Sequence, residues 1–173
     1  MTVAVRRVEK RDERVLGQLA QVLVDCVEGG ASVSFMAPLA PERAMAFWRE
    51  VMDDAAAGRR ILLVAEDAGG VCGTVQVLLD MPENQPHRGD VLKMLVHRRA
   101  RRQGVGEALL RAAQDAARDA GKTLLVLDTA SAEAERLYER LGWKSVGVVP
   151  DYALLPQGGF CQTRFYYLRL EPM

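Results

Sequence analysis

Three observations predict an α/β (α+β) fold for this chain. Period-two and helical apolar patterns alternate along its whole length. An apolar run at 91–96 leads through a glycine-bearing turn straight into a helical pattern. Of its 173 residues, 49% are hydrophobic against 27% charged, which suits a single domain, residues 1–173, with a real core.

The elements follow in order. Alternation at Val3, Val5 and Val8 predicts a first strand. Asp12 to Val27 places apolar residues at 15, 16, 19, 20, 22, 23 and 27 on one helical stripe, which Gly29-Gly30 ends. After a loop over 31–40, Pro41 to Ala57 reads as a second helix, with proline in its first turn and Gly58 as its stop. Strands at 60–66 and 71–79 meet at Asp67-Ala68-Gly69-Gly70, a hairpin signal, and 81–89 is a polar loop. A strand at 90–96, a helix at 104–120, a strand at 123–127, a short helix at 132–141 and strands at 143–149 and 162–170 complete the chain. There is no internal repeat, linker or low-complexity segment.

Charge and cysteine usage exclude several classes. Lys plus Arg and Asp plus Glu both number 23, so bulk electrostatics make no case for a nucleic-acid partner. No apolar run approaches a membrane span, and the start M-T-V-A-V-R-R lacks the apolar core of a signal peptide. The expectation is a cytoplasmic protein with no membrane partner. Cys26, Cys72 and Cys161 are widely spaced, without a C-x-x-C and with only two histidines in the chain. They are expected to be reduced and inert, with no metal site.

Two segments carry chemistry. Arg101-Arg102-Gln103-Gly104-Val105-Gly106 lies between a strand and a helix, where free backbone N–H groups and the positive helix end favour a phosphate. The spacing excludes both G-x-x-x-x-G-K-[ST] and G-x-G-x-x-G. Downstream, Ser131 to Trp143 reads S-x-x-A-x-x-L-Y-x-x-L-G-W, with apolar positions at helical spacing, Ser131 as a cap and Gly142 as a left-handed stop. In this order the two segments resemble motifs A and B of the GNAT acetyltransferase superfamily, although Ser131 stands where that family usually has Asn.

The resemblance implies a GNAT fold: a mixed central sheet of about seven strands, helices on both faces, and a splay between the fourth strand (90–96) and the fifth (123–127). It implies acetyl-coenzyme A as cosubstrate. The diphosphate would lie on Arg101, Arg102, Gln103, Gly104, Val105 and Gly106, and the pantetheine arm along the backbone of Met94, Leu95 and Val96. Ser131 would make a further contact, and Arg98, Arg99 or Arg102 would meet the 3′-phosphate.

Acetyl transfer to an amine requires a neutral nucleophile, a donor for the developing oxyanion and a proton for the departing sulfur. The resemblance places Tyr138 near that sulfur as general acid; the competing reading is an aromatic core residue. Asp90 begins one strand and Asp128 terminates its neighbour, and both are candidates for the base, against a solvated strand end for Asp90 and a helix cap for Asp128. A backbone N–H within 94–96 is the expected oxyanion donor.

The residues at 29–36, 46–48, 89–96 and 149–152 look like the tabtoxin-resistance branch of the superfamily, which implies a compact acceptor bearing a free amine and a carboxylate. Asp90 departs from that branch, where a longer Glu is expected, so a shared toxin does not follow. A loop containing Ser32, Ser34, Phe35 and Met36, supported by Trp48, could cover the cleft, and Ser32 or Ser34 could bond the carboxylate. Equally, Phe35, Met36 and Trp48 could be core contacts. The leading expectation is an N-acetyltransferase for a small-molecule amine, with a detoxifying role in view. The alternatives are acetylation of a protein N-terminus or lysine, and a non-catalytic acetyl-coenzyme A sensor. The hydrophobic segment 160–168, with Phe165, Tyr166 and Tyr167 adjacent, fits either a homodimer or a strand buried on both faces within one subunit.

Overall fold

Every strand and helix expected from the periodicities forms, and in the expected order. The computed structural model describes residues 2–172. It contains β1 (Ala4–Arg7), α1 (Glu13–Glu28), α2 (Pro41–Ala56), β2 (Arg60–Asp67), β3 (Gly70–Leu78), β4 (Arg88–Val96), α3 (Val105–Asp119), β5 (Leu124–Thr129), α4 (Ala132–Arg140), β6 (Lys144–Leu154) and β7 (Phe160–Arg169). A single 3₁₀ turn at Arg98–Ala100 precedes α3.

The strands form one seven-stranded sheet in the order β1-β2-β3-β4-β5-β7-β6. Only β4 and β5 run parallel; every other neighbouring pair is antiparallel. Alternation along β2 divides the core between the two faces. Leu62 and Val64 pack with α1 and α2, whereas Ile61, Leu63 and Ala65 pack with α3. Helices therefore cover both faces, as expected of this fold. Local signals set the helix starts: the Asp12 carboxylate accepts from the N–H groups of Arg14 (3.0 Å) and Val15 (3.2 Å), and Pro41 opens α2.

Two features of β4 position the site. The parallel pairing with β5 holds only at Arg88↔Leu124, Gly89↔Leu125 and Asp90↔Val126, after which the strands part. Along the other edge, Leu92 lies opposite Gln76 and Leu95 opposite Thr74, so β4 carries one extra residue, and Lys93 adopts φ +50° at this bulge. A bulge bends its strand and sharpens the local twist, which here carries Met94–Val96 away from β5.

The aromatic run that suggested a dimer is accounted for within the chain. β7 is an inner strand between β5 and β6, and Tyr166 is fully buried. Exposed apolar side chains lie instead on edge strand β6 and at the start of β7: Val146, Tyr152, Leu154 and Phe160. β6 also runs to Leu154, beyond the expected end at 149, because it continues pairing with β7 past an irregularity between Val149 and Ala153. No helix among the described residues is long and apolar enough to cross a membrane.

Candidate active site

The parting of β4 and β5 leaves backbone groups without a strand partner. His97 donates its N–H to the Cys72 carbonyl on β3 (2.8 Å), so by alternation Leu95 also bonds toward β3 while Met94 and Val96 turn their groups toward the opened side. The Leu95 side chain is buried in the α1–α2 side of the core, whereas those of Met94 and Val96 are half-buried on the α3 side. The Val96 carbonyl receives Arg101 Nε (3.2 Å) and the Cys26 thiol (3.7 Å).

The loop after β4 is built for close approach. Gly104 sits at the α3 N-cap with φ +79° and no side chain caps that helix, whereas α1 and α4 are capped by Asp12 and Ser131. A Cβ at Gly104 would meet nothing within 4 Å, so its lack of a side chain serves conformation. A Cβ at Gly106 would come within 3.1 Å of Leu137 Cδ2 and 3.7 Å of Met94 Sδ, so there it serves packing of α3 on α4 and β4. The arginines of this loop divide by role. Arg98 is spent on Asp25 and Arg99 on Asp67 and on the carbonyls of Gly70 and Val71, which fixes the loop to α1 and to the β2–β3 hairpin. Gln103 donates to the Arg99 carbonyl (3.1 Å), a loop-stabilising bond. Arg101 gives Nε to the Val96 carbonyl and Arg102 (φ +60°) is exposed; neither makes an ion pair among the described residues, so of the four arginines these two keep an uncompensated charge.

Open amides at an uncapped helix end, glycines at 104 and 106, the strand edge at 94 and 96 that β5 has left, and two arginines without a carboxylate partner together fit a diphosphate followed by an amide-bearing arm.

Tyr138 comes from α4, with its ring tilted against Trp143 (5.9 Å) and Tyr166 (5.8 Å). It is buried, and burial pushes its phenol well above the ordinary value, with the Asp128 charge and Tyr166 adding to the shift. Tyr166 donates to Glu139 (3.0 Å), whereas the Tyr138 hydroxyl has no such partner among the described residues. It is both core aromatic and free donor.

Asp90 marks the last β4–β5 pair and is bonded by Arg88. Burial raises its carboxyl, the Arg88 guanidinium opposes the rise, and the nearby Asp128 charge adds to it. Asp128 is exposed and accepts from Thr163 Oγ1 (2.7 Å). It caps nothing: Ser131 takes the α4 cap by accepting from the Ala134 N–H (3.2 Å), and Thr129 Oγ1 accepts the Ser131 N–H (3.1 Å). One carboxylate therefore acts electrostatically on Asp90, Tyr138 and, as described next, Lys93, bringing groups from β4, β5 and α4 to one place.

The opposite wall combines distant segments. Phe35 meets Phe47 edge-on (5.3 Å), Phe47 meets Trp48 (5.0 Å), and Arg43 lies over the Phe35 ring (5.5 Å). Trp48 is fully buried, so it is core, while Met36 is exposed. Ser32 accepts from the Cys161 thiol on β7 (3.6 Å). Ala37 N–H donates to the Pro156 carbonyl (2.9 Å), and Gln157 Nε2 reaches the Glu28 carbonyl (3.3 Å), so the β6–β7 turn closes over the loop between α1 and α2. Sequence reasoning missed this turn. It also missed Lys93, whose ammonium donates to Ser34 Oγ (2.9 Å) and sits 6.0 Å from the Phe47 ring centre. The available signal was a lysine amid the apolar run Val91-Leu92-Lys93-Met94-Leu95-Val96.

Comparison with known proteins bears on the family and the fold. A family model described as acetyltransferase (GNAT) domain matches residues 58–145. Human N-acetyltransferase 8B is 38% identical over 87 residues, 49% of this chain, and the match spans only 38% of that protein's length. Among solved structures, a phosphinothricin acetyltransferase from Sinorhizobium meliloti in complex with acetyl-coenzyme A superposes with a TM-score of 0.80 at 17% identity, covering 100% of this chain and 94% of that one. A ribosomal-protein-alanine N-acetyltransferase from Brucella melitensis gives 0.82 at 21%, covering 96% and 99%. An N-acetyltransferase from Staphylococcus aureus gives 0.81 at 20%, covering 99% and 100%. The family model carries the family and the solved structures carry the fold; none of these relatives is specifically a tabtoxin-resistance enzyme.

Proposed function

The chain belongs to the GNAT acetyltransferase family, and from that premise we propose that it transfers an acetyl group from acetyl-coenzyme A to the primary amine of a small, polar, amino-acid-like acceptor. The observation that carries this reading is the convergence of Asp90, Asp128 and Tyr138 where β4 and β5 part.

Acetyl-coenzyme A would supply an activated thioester carbonyl. The N–H groups of residues 102–106 at the α3 N-terminus hold the diphosphate, with Arg102 nearest in role to the 3′-phosphate and Ser131 Oγ offering a further polar contact. Backbone groups of Met94 and Val96 align the arm as a strand would, and an N–H of this segment stabilises charge on the carbonyl oxygen. Asp90 or Asp128, directly or through a water, takes the proton from the acceptor amine so that its lone pair is free to attack. A carboxyl raised by burial is better matched to that task than an ordinary aspartate. Tyr138 gives its phenolic proton to the departing sulfur; a phenol with a raised pKa stays protonated until the transfer.

The turn at Pro156 and Gln157 lies across the α1–α2 loop, which favours a compact acceptor over an open peptide groove. At 17% identity the likeness to a phosphinothricin acetyltransferase concerns the fold, and a detoxifying role in the cytoplasm is part of the same proposal. The test is thiol release from acetyl-coenzyme A with amino acids, their amides, polyamines, aminoglycosides and short peptides, using wild type and Tyr138→Phe. Fast, Tyr138-dependent release with a compact amino-acid-like amine is expected. Tight coenzyme binding without acceptor-dependent release would instead indicate a sensor.

A further inference from the structure

Lys93 stands out among the basic residues. It is half-buried, it interrupts an apolar strand, and the bulge at φ +50° sets its place on the wall opposite the diphosphate loop. Its ammonium is held by a neutral hydroxyl, Ser34 Oγ at 2.9 Å, and by the Phe47 ring at 6.0 Å. Asp90 and Asp54 are committed to arginines: Arg88 takes Asp90, and Arg59 and Arg60 share Asp54. Asp128 accepts from Thr163, a neutral hydroxyl, so its charge also lacks a cationic partner. Burial pushes the Lys93 ammonium down, the Asp128 charge opposes this, and Arg60 adds to it.

A half-buried cation bonded only to neutral groups, with the Asp128 charge acting from beyond ion-pair distance, has paid part of its desolvation without a bonded partner of opposite charge, and a ligand anion can provide one. One such cation and one such anion face the same cleft. This is the charge pattern of a molecule carrying an amine and a carboxylate on neighbouring atoms.

We propose that Lys93 and Ser34 form the acceptor's carboxylate-binding site, holding an amino acid by its carboxylate so that its amine meets Asp90 and Asp128. The proposal rests on the transfer reading above and adds the acceptor class: free amino acids and close analogues with an anionic group beside the amine, in preference to their amides. Ser34 then turns its hydroxyl proton to the carboxylate while its oxygen keeps the Lys93 bond. Phe47, packed edge-on between Phe35 and Trp48, keeps the lysine stem in place.

The test measures kcat and KM with acetyl-coenzyme A for a panel of L-amino acids and the matching carboxamides, on wild type, Lys93→Met and Lys93→Arg. Lys93→Met keeps length and apolar volume without charge, and Lys93→Arg keeps charge; melting temperature is followed for each. Expected is a wild-type preference for acids over amides. Lys93→Met should raise KM for acids by about 10- to 100-fold, leave amides within about threefold, and leave the KM for acetyl-coenzyme A unchanged, with Lys93→Arg regaining part of the preference. An equal loss on acids and amides, or a wild-type preference for amides, would overturn the site while leaving the transfer reading intact. Absence of acceptor-dependent turnover in wild type would overturn both.

Discussion

The two walls of the cleft are made differently. The wall we assign to the coenzyme is backbone: open amides at the α3 N-terminus, the strand edge at Met94 and Val96, and glycines at 104 and 106, all within one stretch of chain. The wall we assign to the acceptor is side chains drawn together from far apart, with Ser34 bonded to Lys93, Ser32 to Cys161, and the 31–40 loop to the β6–β7 turn. A site built on backbone tolerates side-chain change except where a Cβ or a positive φ forbids it. A site built on side chains can be retuned one residue at a time, and specificity belongs there.

The largest expected effect tests whether Tyr138 belongs to the chemistry of both walls or only to the core. Tyr138→Phe keeps the ring packing against Trp143 and Tyr166, so kcat should fall about 100-fold or more with melting temperature and acetyl-coenzyme A affinity nearly unchanged. Joint loss of stability and affinity would reduce it to a core residue. Next, Asp90→Asn and Asp128→Asn separate the two carboxylates. The base variant should lose about tenfold to a hundredfold in kcat/KM at neutral pH. If Asp90 is the base, the acidic limb of kcat/KM should lie above the ordinary aspartate range, because its carboxyl is raised, and should disappear in Asp90→Asn alone.

On the coenzyme wall, Gly104→Ala meets no steric obstacle but forces an L-residue to φ +79°, a cost of about 1–2 kcal/mol. It should weaken acetyl-coenzyme A binding by roughly tenfold in titration calorimetry while the acid-over-amide preference stays put. A change in acceptor preference would show that the walls are coupled.

The smallest effect lies outside both walls. Arg6 holds Glu66 by bonds of 2.8 and 3.1 Å and lowers its carboxyl, so Glu66 contributes stability above its unfolded pKa that is lost as pH falls through the depressed folded one. The pair is partly exposed, so Glu66→Gln should cost under about 1 kcal/mol at neutral pH, with the gap closing in acid denaturation curves toward low pH.

How much was legible follows from the same contrast. Asp12, Pro41, Gly104 and Ser131 act within a turn or two of their own position, and each element they start was readable from sequence. The split between Arg102 and its neighbours Arg98 and Arg99 was not, because their acidic partners Asp25 and Asp67 are remote in sequence. Nor was the fate of the aromatic run at 165–167, since its burial depends on β7 lying between β5 and β6. The Asp128 carboxylate was legible as a residue of the cleft, yet its freedom from capping depended on Ser131 and Thr129 satisfying the α4 start.

The amino-acid sequence by itself determined the order of elements, the glycine-bearing turn before α3 and the place of Tyr138 on α4, because periodicity, capping and glycine conformations are local physics. Only the tertiary structure decided where β4 leaves β5, how the Lys93 bulge faces Ser34, and how the Pro156 turn closes the acceptor side. These depend on pairing registers and on contacts between residues far apart in the chain, whose loop-closure cost is met only when the whole sheet is assembled.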